Sequence, residues 1–222
     1  VTQVRAALEG APPGLAVYVT GAAGLSADLG NAFGGIDGLL LAVAVLTVLV
    51  ILIFVYRSPL LPILVLLASM SALCAAVLVN FYLAKAGVFK INGQVQGILF
   101  ILVIGAATDY SLLYVSRFRE ALRTAASAWE ATKAAWRGSV AAILASGGTV
   151  IAGLLCLLLS DLASNKALGP VAAVGLVFAV LAALTFLPAM LLLAGQAAFW
   201  PRHVRRSADE GAAAAEGAAT GV

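Results

Sequence analysis

One carboxylic acid, Asp109, sits inside the apolar run from Ile98 to Val115, and a phenol, Tyr110, follows it directly. Every other acidic or basic residue falls near the edge of an apolar run or beyond it. A carboxylate at the centre of a membrane helix costs about 2.5–3.5 kcal/mol on insertion scales, so such residues are rare and usually serve an ion or proton pathway. Low dielectric disfavours the charged form of a carboxyl, whereas hydroxyl donors favour it. Thr108, Tyr110 and Ser111 supply hydroxyls beside Asp109 in the sequence. A carboxyl balanced between these effects can take up and release a proton. Moving one charge across the membrane potential is worth roughly 2.3 kcal/mol per 100 mV, enough for its protonation to bias a rocking equilibrium. The expected chemistry is therefore proton uptake and release at Asp109, set against an aspartate with a purely structural role.

A relay inside a bundle needs helices that approach closely. Gly105 and Ala106 lie one turn before Asp109, at i−4 and i−3, and leave space for a second helix. A further run carries Ala141, Ala145, Thr149 and Gly153 at intervals of four, a small-residue stripe suited to tight packing. Gly105, Ala106, Ala145 and Thr149 are the residues expected to pack around the relay.

The elements that carry these residues follow from composition. Of 222 residues 63% are apolar and 10% charged, and the mean hydropathy is +1.09, outside the range of ordinary soluble domains. Five stretches are long enough to cross about 30 Å of hydrocarbon: residues 38–55, 60–83, 98–115, 140–159 and 171–193. Backbone amides in lipid must be satisfied within the segment, and runs without an alternating polar face do so as helices. The fold class is all-α, a polytopic membrane protein, with a transmembrane domain over residues 36–198.

Lysine and arginine set the orientation, because short loops rich in them stay in the cytoplasm. Nine fall on one side: Arg57, Arg117, Arg119, Arg123, Lys133, Arg137, Arg202, Arg205 and Arg206. Four fall on the other: Arg5, Lys85, Lys90 and Lys166. The N-terminal segment is thereby placed outside and the C-terminal tail in the cytoplasm. The sequence pI near 9.1 reflects this topology and not nucleic-acid binding.

Outside the spans, residues 15–20 (LAVYVT) form a β-favouring run closed by Gly21, followed by a helix-compatible stretch from Leu25 to Phe33. Residues 1–35 read as the remnant of an extracytoplasmic domain, and the chain as a fragment. The cytoplasmic loop lacks proline and is expected to form one amphipathic helix over about 117–137. Its apolar face would hold Leu122, Ala126, Trp129 and Trp136, with Arg119, Arg123 and Lys133 toward water. Phe199 and Trp200 look like an interfacial anchor, and the Ala-, Gly- and Glu-rich tail within 199–222 has little to bury.

Other chemistries find no support. Cys74 and Cys156 lie within spans as packable apolar residues. His203 sits among arginines, no carboxylate cluster suggests a metal, and no glycine-rich loop ending in Lys-Ser or Lys-Thr would hold nucleotide phosphates. No cofactor is expected, and the chain does not read as an enzyme.

The motif GAATDYSLLYVSRFREAL, Gly105 to Leu122, resembles the fourth-helix motif of the MMPL branch of the RND transporter superfamily. VYVTGAAGLSADL before the first span, FVYRSPLLPIL from Phe54 to Leu64, and AFWPR from Ala198 to Arg202 are similar to the same family. The resemblance implies that the five spans correspond to helices two to six in the first half of a twelve-helix exporter. That unit also resembles the sterol-sensing domain of eukaryotic relatives. Residues 1–33 would then end the first porter domain. It implies that Asp109 and Tyr110 bond across to an equivalent pair in a second half, absent here, and carry protons. The implied partners are protons, a lipid or other hydrophobic substrate, membrane lipids, and the missing half or a partner chain. The implied location is the bacterial plasma membrane. Two other readings are a protein-export auxiliary subunit of the same superfamily and a lipid-sensing or assembly module without transport.

Overall fold

The computed structural model describes residues 36–56, 58–89 and 91–195, with scattered positions between 4 and 28. Ile36–Tyr56 form α1, Leu60–Lys85 α2, Gly93–Thr124 α3 and Ala128–Leu155 α4, which tightens into a 3-10 turn over Cys156–Leu159. Ala163–Leu181 form α5, which widens into a π turn over Ala182–Phe186 and resumes as α6, Leu187–Ala194. No strand occurs among the described residues. Five helical spans are long and apolar enough to cross a membrane: Gly38–Tyr56, Leu60–Lys85, Gly93–Thr124, Ala128–Leu159 and Ser164–Ala194. The all-α class and the five spans agree with expectation. The run at 15–19, most of the remnant at 1–35, and the tail at 199–222 lie outside the described residues.

Helix ends follow local chemistry. Gly87 closes α2 at φ +80°, a conformation that favours glycine. Its N–H donates to the Ala84 carbonyl at 3.0 Å, and that of Val88 to Leu83 at 3.1 Å. Asn92 opens α3 by accepting the Val95 N–H on its side-chain oxygen at 2.8 Å.

The connection between α3 and α4 corrects one expectation. No single helix runs over 117–137: α3 continues to Thr124, the chain extends at Ala125, and α4 starts at Ala128. The reason lies in Ser127 and Glu130, three residues apart. The Ser127 hydroxyl accepts the Glu130 N–H at 3.2 Å, and the Glu130 carboxylate accepts the Ala126 N–H at 3.1 Å. This exchange resembles a capping box, which starts a new helix. Ser127→Ala should cost about 1 kcal/mol, read as a lower thermal midpoint in detergent micelles. An unchanged midpoint would show that packing alone fixes the corner.

Within the bundle α3 is central, packed against α1, α2, α4 and α5. Lipid-embedded helices gain little from hydrophobic burial against each other and associate through close packing and interhelical hydrogen bonds. Both devices are present. On α2 the small side chains of Ala68, Ala72 and Ala76 are buried one turn apart. Near one end of the bundle the Asn80 amide donates to the Val171 carbonyl at 3.2 Å, and toward the other the Tyr114 hydroxyl donates to the Thr132 carbonyl at 3.2 Å. Pro188 has no N–H to offer the carbonyl four residues earlier. That carbonyl, on Leu184, instead accepts the Trp136 indole N–H at 3.1 Å, fastening α4 to the π turn.

Candidate functional site

Asp109 and Tyr110 occupy the middle of α3, and consecutive helical residues point about 100° apart. Tyr110 turns inward and is buried, whereas Asp109 faces out of the five-helix unit and is exposed. Among the described residues Asp109 makes no hydrogen bond or ion pair. The hydroxyls expected beside it lie on the inner side of α3. Thr108 is buried with its oxygen 3.4 Å from that of Ser69 on α2, and the Ser111 hydroxyl is buried without a partner. The two residues expected to form the relay thus stand on one helix turn, but their functional atoms are directed apart.

The four residues expected to pack around the relay are also placed. Gly105 and Ala106 are half-buried, and a methyl group added at Gly105 would meet nothing within 4 Å. Ala145 and Thr149 are exposed, as are Ala141 and Gly153 of the same stripe. The Thr149 hydroxyl donates back to the Ala145 carbonyl at 2.8 Å. Among the described residues, therefore, the α4 stripe makes no tight helix contact: the inner face of α4 is the one carrying Ser139, Ile143 and Gly147. The outer faces of α3 and α4 present a carboxyl group and small residues to whatever surrounds the unit.

A residue that the pattern of fours passes over is Gly147. A methyl group there would stand 2.7 Å from Val180 Cγ2 and 3.5 Å from the Tyr110 hydroxyl. Gly147 therefore lets α4 close on α5 while leaving room for the phenol. Its sequence signal is the Gly147-Gly148 pair, of which only the first is buried.

Among the described residues no group of histidine, cysteine or carboxylate side chains has the arrangement to hold a metal ion. The amphipathic face expected over 117–137 is divided. Leu122 is buried on α3, and Trp129 and Trp136 are exposed on α4, where Lys133 shares their side.

Residues 1–213 match the model of the MMPL family. The chain is 54% identical over 200 residues to SCO0839 of Streptomyces coelicolor, whose name describes a membrane protein; the match covers 90% of this chain and 28% of that one. It is 39% identical over 188 residues to the apo-petrobactin exporter of Bacillus anthracis, covering 85% of this chain and 25% of that one. It is 32% identical over 180 residues to the siderophore exporter MmpL5 of Mycobacterium tuberculosis, covering 81% and 19%. The chain thus spans less than a third of the length of these relatives. With the family model matched along nearly the whole chain and the helical spans in place, this multi-pass membrane protein belongs to the MMPL family.

Proposed function

We propose that the chain is part of a proton-motive-force-driven RND/MMPL-type exporter of lipids or other hydrophobic compounds in the bacterial plasma membrane. In this reading the N-terminal segment lies outside, the C-terminal tail is cytoplasmic, and Asp109 carries the proton. The observation that carries the reading is the exposure of Asp109 on the outer face of the unit, in the middle of a span. A carboxyl facing acyl chains there would bear a cost of a few kcal/mol with no return. Covered by a second transporter half, it can be hydrated and paired, and its protonation can alter how the halves fit. The exposed small residues on α4 suit that close approach. Two relatives are named as exporters, one of apo-petrobactin and one of siderophores, which supports export and widens the candidate cargo beyond lipids.

The test uses the complete transporter in proteoliposomes under an imposed pH gradient. A lipid and a siderophore are offered separately as cargo, with a pH-sensitive dye inside. Cargo movement should be accompanied by proton flux in the opposite sense and should stop when an ionophore collapses the gradient. Transport that continues without the gradient would overturn the reading.

A second reading, a lipid-sensing module, has one observation in its favour. A cavity of about 630 Å³ lies between the end of α2 and the start of α3, lined by Val77, Phe81, Phe89 and Leu99 around Asn80. It is apolar enough to take an acyl chain, and the Asn80 side-chain oxygen is buried without a partner. Lipid binding that survives loss of proton coupling would favour this reading.

A further inference from the structure

The N-terminal part of α4 carries a groove that the proton pathway does not use. Trp129, Thr132, Lys133, Trp136 and Arg137 line a cavity of about 360 Å³. Their spacing of three and four puts them on one helix face. The floor is apolar because Thr132, the one hydroxyl there, donates inward to the Ala128 carbonyl at 2.9 Å. Trp136 is held in place by its indole bond to Leu184, yet both tryptophan rings remain widely open, Trp129 at 62% and Trp136 at 43%. Large amphipathic rings at the end of a span sit at the level of the lipid headgroups.

The charge around the groove is unbalanced. Lys133 and Arg137 stand one turn apart, and among the described residues neither forms an ion pair. The two carboxylates nearby in sequence are engaged elsewhere: Glu120 with Arg117 at 3.3 Å, and Glu130 with the Ala126 N–H. Two adjacent cations above an apolar, indole-walled floor match one molecule in both parts, an anion joined to hydrocarbon.

We propose that this groove is a docking site for one anionic phospholipid of the surrounding leaflet, its phosphate between Lys133 and Arg137 and its upper acyl carbons against Trp129 and Trp136. The arginine offers a planar fork to phosphate oxygens and the lysine a point charge. The site requires only that α4 crosses a membrane, and is independent of transport and of the direction in which the chain is inserted. It would hold α4 at a fixed depth beside the π turn.

Tryptophan fluorescence tests this directly. The chain has three tryptophans, and Trp200→Phe leaves the two of the groove as reporters. The 222-residue chain carrying that change is reconstituted in phosphatidylcholine vesicles with a small, equal mole fraction of brominated phosphatidylglycerol or brominated phosphatidylcholine. Brominated phosphatidylglycerol should quench as though enriched roughly thirty-fold over the zwitterionic lipid, as expected for two cations near the surface. The preference should fall to near parity in Lys133→Gln/Arg137→Gln and persist in the charge-keeping Lys133→Arg/Arg137→Lys. Equal quenching by the two lipids before any groove substitution overturns the proposal, whatever becomes of the double variants. So does a preference that survives Lys133→Gln/Arg137→Gln. Loss of the preference on adding millimolar inorganic phosphate would identify a soluble-anion site and equally overturn it.

Discussion

Replacing Asp109 by asparagine should abolish proton-driven transport by the complete transporter while the five-helix unit still folds. Asparagine keeps the size of the side chain and removes only the titrating group. Because Asp109 is exposed on this unit and bonded to none of its described residues, the change disturbs no internal contact. Stability of the unit should shift by no more than about 0.5 kcal/mol, as for surface positions. On the proposed function, in contrast, the proton loses its carrier. A positioned acid–base group is typically worth 10²–10⁴ in rate, so the coupled rate should fall at least about a hundred-fold. Asp109→Glu retains a titrating carboxyl one methylene further out and should keep a fraction of activity. The measurement is the proteoliposome assay under an imposed pH gradient, with thermal unfolding of the same preparations as the folding check. An asparagine variant that moves cargo at the original rate would eliminate Asp109 as carrier. A variant that loses transport together with its fold would show that the aspartate is structural.

The largest effect on stability is expected at Gly169. Alanine in place of glycine within a helix is normally favourable by about 0.5–1 kcal/mol. At Gly169 an added methyl carbon would stand 2.7 Å from the Leu154 carbonyl oxygen and 3.3 Å from Leu157 Cβ. The first of these is backbone, and no side-chain rotation can relieve it. Residues 154 and 169 flank the turn between α4 and α5, so these helices must move apart. Gly169→Ala should therefore be destabilising by about 1–3 kcal/mol, the usual range for overpacking. Gly153→Ala is the matched control, since its methyl group would meet nothing within 4 Å. Thermal unfolding in detergent should separate the two, with Gly169→Ala below the unsubstituted chain and Gly153→Ala at or above it. If the two midpoints coincide, the close approach of α4 and α5 does not contribute to stability.

The contrast between those glycines shows where sequence reading stops. Ala68, Ala72 and Ala76 on α2 and Ala141, Ala145, Thr149 and Gly153 on α4 follow the same rule, one small residue per turn. The first row is buried and the second exposed. Small-residue spacing reports that a helix can approach closely, and carries no information about which neighbour arrives. The same limit governs Tyr110. Its adjacency to Asp109 is visible in the sequence, whereas its inward direction and its place beside Gly147 depend on how α4 and α5 cross. The break at Ala125 could have been read from Ser127 and Glu130, whose spacing is a helix-start signal. The helix-forming composition on either side masks it.

The sequence by itself determined the all-α class, the five spans and the isolation of one carboxyl within them. Each is a one-dimensional property: hydrocarbon thickness fixes the length of an apolar run, and the cost of charge in lipid makes a lone aspartate conspicuous. Tertiary structure alone decided which faces meet. It turned Thr108, Tyr110 and Ser111 inward and Asp109 outward, buried one small-residue stripe and left the other open, and placed the Trp136 indole on the carbonyl that Pro188 leaves without its helical donor. In lipid, apolar surface gains almost nothing by choosing protein over acyl chain, so hydrophobicity cannot select the inner face. Shape and hydrogen bonding between distant segments make that choice.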